Sequence, residues 1–114
     1  MLLKTLKRIL DDFKDSGHLI IKTSYEEITF STHSYDEVNE STSLEKHNDS
    51  ILEHKVEKES KAIYKILRLI DFIKEAVKIS EAVTIKFSDD MPLTLDVELP
   101  RGEMIYYLAP CIGV

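Results

Sequence analysis

Apolar positions along the chain change period several times, and each period predicts an element. Leu2, Leu6, Ile9, Leu10 and Phe13 recur at spacings of three and four, which predicts an amphipathic helix over 2–14. Lys4, Arg8, Asp11 and Asp15 take the opposite face, with Lys7 and Lys14 beside them. Ser16-Gly17 supplies the stop, because glycine adopts the left-handed closing conformation at little cost. The runs HLIIKTS and EITFSTH predict two short strands, joined as a hairpin through Ser24-Tyr25-Glu26. Ile63, Ile66, Ile70, Ile73 and Val77, widened by Ala62 and Leu69, predict a longer helix over 61–78. Its outer stripe is Lys61, Tyr64, Arg68, Asp71 and Glu75, with Lys65 close by. Val83, Ile85 and Phe87 alternate as another strand. Leu93, Leu95, Val97 and Leu99 then alternate against Thr94, Asp96 and Glu98, Pro100-Arg101-Gly102 turns, and Met104, Tyr106 and Leu108 return.

Residues 35–60 fit neither period. They are rich in Glu, Ser, Lys and Asn, with Val38, Leu44, Ile51, Leu52 and Val56 as their clear apolar residues. From composition they read either as linker or loop or as two exposed strands. The order helix, strands, helix, strands predicts an α+β domain in which two amphipathic helices pack on antiparallel sheets. The closing hairpin has one unusual feature. It carries apolar groups on both sides at one end, with Tyr107 outside and Met91-Pro92 and Ala109-Pro110 beside it.

Bulk properties narrow the function classes. The length suits one domain able to bury a core unaided. Fifteen Lys and Arg stand against 21 Asp and Glu, giving a net charge of -6. A uniformly acidic surface repels nucleic acid, so a DNA role requires the cations to gather on one face. The single cysteine, Cys111, permits no internal disulfide. The basic, apolar start is interrupted by Lys4, Lys7 and Arg8, unlike a signal peptide. No apolar run approaches the roughly 20 residues that cross a bilayer, so no membrane partner is expected. Glycine occurs only at 17, 102 and 113, which leaves no phosphate loop or dinucleotide fingerprint. His18, His33, His47 and His54 share no metal-ligand spacing, and His47 and His54 beside Asp49 and Glu53 read as a solvated polar face. Nothing points to an enzyme, a cofactor or a metal.

The stretch LIDFIKEAVKISEAVTIKFSDDMPLTLDVELPRGEMIYYLAPCI, residues 69–112, resembles the C-terminal end of proliferating cell nuclear antigen, the sliding clamp of archaea and eukaryotes. Its marks are DFIK, VTIKFSDDMPL and the closing YYLAP, and the earlier HLIIKTSYEEITFS fits more loosely. The resemblance implies one clamp domain over 1–114, equivalent to the C-terminal domain of a two-domain subunit, without its first strand and without the connector loop between domains. It implies two strands within 35–60. It assigns the outer helix stripes to double-stranded DNA, with Arg8 and Arg68 matching best and Lys4, Lys7, Lys61 and Lys65 nearby. It assigns Met91, Pro92, Tyr107, Ala109 and Pro110 to a pocket for the short peptide motifs of polymerases and other clients. It places subunit contacts on strand edges at Val38, Leu44, Met104, Tyr106 and Leu108, with about six copies closing a ring. The implied role is a minimal processivity factor, DNA-associated in the cytoplasm of an archaeal cell, with a clamp loader or a full-length clamp as further partners. A regulatory protein that binds a full-length clamp, or sequesters its clients, is the alternative.

Overall fold

The computed structural model describes residues 1–32 and 40–112. Among the described residues ten elements follow one another in order. Helix α1 (Leu3–Asp12) leads through a 3-10 turn at Lys14–Ser16 into strand β1 (His18–Thr23), and β2 (Glu27–Thr32) and β3 (Ser41–Glu45) continue. Strand β4 (Ser60–Lys65) runs directly into helix α2 (Ile66–Ala76), followed by β5 (Thr84–Lys86), β6 (Leu93–Leu99) and β7 (Gly102–Leu108). The strands form two antiparallel sheets, one ordered β3-β2-β1-β4 and the other β5-β6-β7. The α+β expectation holds.

The periodic stretches fold as their spacing requires. In α1, Leu3, Leu6, Ile9 and Leu10 are buried. Gly17 closes the following turn at φ 80°, in the left-handed region that a side chain would resist. The Ser24 hydroxyl accepts the Glu26 and Glu27 amides at 3.3 and 3.2 Å and shapes the β1–β2 turn. Alternate residues of each strand enter one core: Leu19 and Ile21, Ile28 and Phe30, Ala62 and Tyr64, Leu93, Leu95 and Val97. Each fully buried Leu or Ile in that core contributes about 1.5–3 kcal/mol relative to exposure.

Three expectations change. Leu2 lies outside the helical stripe. It forms an antiparallel bridge with Ala82, and Leu3 takes its place in the core. Residues 61–65, expected as the start of the second helix, are strand β4 paired over its whole length with β1. The helical spacing of Ile63, Ile66 and Ile70 coexists there with a period-two alternation of Ala62 and Tyr64 against Lys61, Ile63 and Lys65. Six paired residues on the free edge of β1 decide in favour of the strand. Tyr64, expected outside, is therefore fully buried. Within 35–60 the described residues hold β3 and the first residue of β4 rather than two strands; between them runs an irregular segment over 46–59. Val38 lies outside the described residues.

Candidate functional site

Two regions hold the residues singled out by sequence. The first is the pair of helices, which pack on each other. Lys4, Arg8 and Arg68 are exposed, and Lys7 pairs with Asp11 at 2.7 Å along the helix. Between the helices lies a shallow cleft of about 220 Å³ lined by Lys7, Leu10, Asp11, Ile70, Ile73 and Lys74. Lys74 was not singled out. Its place beside Lys7 depends on how α1 meets α2, which no spacing along the chain encodes. Lys61 and Lys65 do not join this face. They are exposed residues of β4, paired through their backbones with Lys22 and His18. The helical face thus carries Lys4, Lys7, Arg8, Arg68 and Lys74 against Asp11, Asp12, Asp71 and Glu75. In α1 the cations sit in the first turns and the two aspartates in the last, against the helix dipole. This arrangement costs helix stability and concentrates positive charge at one end of the face.

The second region is the end of the closing hairpin. The register Leu93↔Leu108 and Thr94↔Tyr107 brings Met91-Pro92 and Ala109-Pro110 to the same end. Both segments are tied to β4, whose outer edge would otherwise be free. The buried Tyr64 hydroxyl donates to the Met91 carbonyl at 2.7 Å. The Lys61 amide donates to Asp89 Oδ1 at 2.8 Å, and Lys58 meets Asp89 Oδ2 at 3.4 Å. The Cys111 amide donates to the Ile63 carbonyl at 2.8 Å. Asp90 turns the chain at φ 50°, a conformation aspartate tolerates better than most residues. Burial, with the Asp90 carboxylate nearby, pushes the Tyr64 hydroxyl up to about 12. The hydrogen bond from the Lys61 amide, against desolvation and with help from Lys58, holds Asp89 below its ordinary value.

The clips leave an apolar patch on top. Met91 is 53% exposed and Tyr107 67%, with Pro92 and Ala109 also exposed and Pro110 partly covered. Alternation along β7 adds the exposed Ile105 to the Tyr107 side. Ile105 was passed over, although its place two residues before Tyr107 was a signal for it. Met104, Tyr106 and Leu108 point the other way. Tyr106 stacks on Phe72 with centroids 4.7 Å apart and an interplanar angle of 14°. Leu44 is buried against the same core. These side chains, expected at a subunit contact, thus pack within the chain. What β3 and β7 present outward is backbone, since each is an edge of its sheet.

No group of three or more His, Cys, Asp or Glu suited to a metal occurs among the described residues. His54 instead meets the Ser24 carbonyl at 2.9 Å. Among the described residues no helix is long and apolar enough to cross a membrane.

Two antiparallel sheets with two packed helices define an α+β domain whose helical face carries charges of both signs. Comparison with known proteins makes the class specific. No family model matches the chain. A DNA polymerase sliding clamp from Thermococcus fumicolans is 36% identical over 83 residues, covering 71% of this chain and 33% of that protein. The crystal structure of PCNA from Thermococcus kodakaraensis superposes with a TM-score of 0.84 at 28% identity, over 96% of this chain and 45% of that one. A PCNA2–PCNA3 complex from Sulfolobus tokodaii gives 0.83 at 26%, over 96% and 44%. The chain is a partial-length homologue of the archaeal sliding clamps, and its fold is the sliding-clamp fold. It spans about a third of the curated relative and less than half of each solved clamp.

Proposed function

We propose that the chain is a minimal sliding-clamp subunit, corresponding to the C-terminal domain of a two-domain clamp. Copies of it close into a ring around double-stranded DNA and hold a polymerase on its template. One observation carries the reading: a sliding-clamp fold presents an exposed cationic row on its two helices, Lys4, Lys7, Arg8, Arg68 and Lys74, and an open strand edge on each sheet. The role is non-enzymatic. Phosphate attraction without base reading suits sliding, because it fixes no register on the duplex. The interspersed Asp11, Asp12, Asp71 and Glu75 keep that attraction weak, so enclosure holds the DNA. One chain offers both a β3 and a β7 edge, so the contact is head-to-tail and can close. Six copies match the six domains of a clamp ring. The Met91–Tyr107 patch is the docking floor for short apolar peptide motifs of the polymerase and other clients. The protein then works at the nucleoid, in the cytoplasm.

Light scattering combined with retention on circular DNA tests the proposal. The expected results are a mass six times that of one chain and retention that is lost when the DNA is linearised. A monomer at high micromolar concentration would overturn the ring. If that monomer also bound a two-domain clamp, the chain would be a clamp regulator.

A further inference from the structure

The two lips of the Met91–Tyr107 patch lie outside the strand ladder. Met91-Pro92 precedes β6 and Ala109-Pro110 follows β7, and the pairing of those strands ends at Leu93↔Leu108. Pro92 and Pro110 have no amide hydrogen to donate. Strand pairing therefore does not set the angle at which these groups leave the chain.

Two consecutive residues of β4 set it instead. The Pro110–Cys111 peptide plane is held through its amide, which donates to the Ile63 carbonyl at 2.8 Å. The Met91–Pro92 plane has no N–H, so its carbonyl is its one handle, and the Tyr64 hydroxyl donates to that oxygen at 2.7 Å. The oxygen lies in the rigid plane that joins the two residues, so holding it orients both the Met91 side chain and the Pro92 ring. The preceding turn is tied separately. The Lys61 amide reaches Asp89 Oδ1, the Asp90 amide donates to the Lys61 carbonyl at 3.4 Å, and the Met91 amide donates to the Ser88 carbonyl at 3.1 Å. Those bonds fix the chain as far as the Met91 amide and leave the next plane to Tyr64. The Tyr64 ring is fully buried and its backbone pairs with Leu19 of β1, so the hydroxyl has a fixed place. With ionisation pushed up to about 12, the hydroxyl keeps its hydrogen throughout the neutral range.

We propose that Tyr64 is a positioning residue of the docking floor: from the core, and without touching a peptide, its hydroxyl holds the Met91–Pro92 plane so that Met91, Pro92 and Tyr107 meet a peptide's apolar anchors together. That role rests on the reading of the Met91–Tyr107 patch as a client site. Without the hydroxyl, the Met91 carbonyl has no partner among the described residues and turns toward water, which tilts Met91 and Pro92 with it.

The test uses the full chain and the peptide acetyl-Ser-Leu-Ser-Ser-Phe-Phe-Ser-amide, which carries one aliphatic and two aromatic anchors, titrated by NMR to millimolar concentration. Tyr64→Phe should weaken binding about fivefold, the equivalent of one hydrogen bond. Ile73→Val trims the core in α2 and should lose comparable stability while keeping the affinity of the parent. In a Met91→Ala background Tyr64→Phe should cost less than about twofold, because the side chain it positions is gone. Equal affinity of parent and Tyr64→Phe overturns the role of Tyr64 alone. So does an equal weakening by Ile73→Val, or an undiminished fivefold cost in the Met91→Ala background. A parent chain that binds no peptide overturns the docking reading itself, and the role of Tyr64 with it.

Discussion

The two sheets of this domain treat their edges differently. The four-stranded sheet closes its β4 edge with three clips, from Asp89, Met91 and Cys111, and these come from the far end of the chain. Among the described residues the three-stranded sheet leaves β5 and β7 without an outer neighbour beyond Val83. Unpaired edges invite association, and folds ordinarily cover or charge them. Among the described residues the chain covers the β4 edge and leaves β3, β5 and β7 open, the last two beside exposed apolar residues, Ile105 and Tyr107 at β7, Leu52 and Ile79 at β5. The difference separates structure from proposed recognition: the closed edge holds the domain together, and the open β3 and β7 edges are where partners are proposed to pair.

The two tyrosines Tyr64 and Tyr107 give the largest contrast. Tyr64→Ala removes a fully buried ring and a clip, and should destabilise the domain by about 3–5 kcal/mol in denaturant unfolding. Tyr107→Ala, at an exposed position, should stay within about 0.5 kcal/mol of the parent. Equal losses would erase the distinction between closed and open regions.

Function should show the reverse order. Arg8→Glu combined with Arg68→Glu should abolish retention on circular DNA, and the salt slope of residual binding should fall by about 2, roughly 1 per lost phosphate contact. Unchanged retention would mean that the helices do not face DNA. A client peptide should bind the Met91–Tyr107 floor at least about tenfold more weakly than it binds a two-domain clamp, equivalent to about 1.4 kcal/mol. The reason is that groups this exposed cover an anchor from one side only. Tyr107→Ala should remove what binding remains. Titration calorimetry on both proteins decides the matter, and equal affinities would require a second wall from a neighbouring subunit.

The smallest effects sharpen the closed edge. Tyr64→Phe keeps the ring and loses one hydrogen bond, so about 1 kcal/mol is expected. Of the five tyrosines, one should ionise near 12 in the folded protein, and this variant should abolish that late step in an ultraviolet titration. Because the folded-state value lies above the unfolded one, the stabilisation is complete below pH 10 and is lost as pH rises from 10 to 12. Asp89 works in the opposite sense. Its value is lowered on folding, so its contribution is present above its ordinary value and fades as pH falls below it. Asp89→Asn should flatten stability against pH in that acid range.

Much of the fold was legible along the chain. The stripe from Leu6 to Phe13, the alternation of Leu19 and Ile21, and that of Leu93, Leu95 and Val97 each have one period and one solution, because local backbone geometry alone sorts their side chains into inner and outer faces. The apolar excess at the hairpin end was legible too, as residues that alternation could not place inside. The likeness to clamps rested on the same stretch.

Tertiary structure decided the rest, wherever two local solutions competed or none existed. Ser60–Lys65 satisfies both a helical and an alternating pattern, and the vacant edge of β1 selected the strand. That choice carried Tyr64 from the surface to the core and took Lys61 and Lys65 off the helical face. Lys74 entered the candidate DNA face only through the packing of α1 on α2. The Met91–Pro92 lip came to rest on Tyr64 only through the fold, since period and composition do not connect β4 with the turn before β6. Periodicity fixes which way a side chain points from its own element. Only the fold decides which edges meet and which are left open.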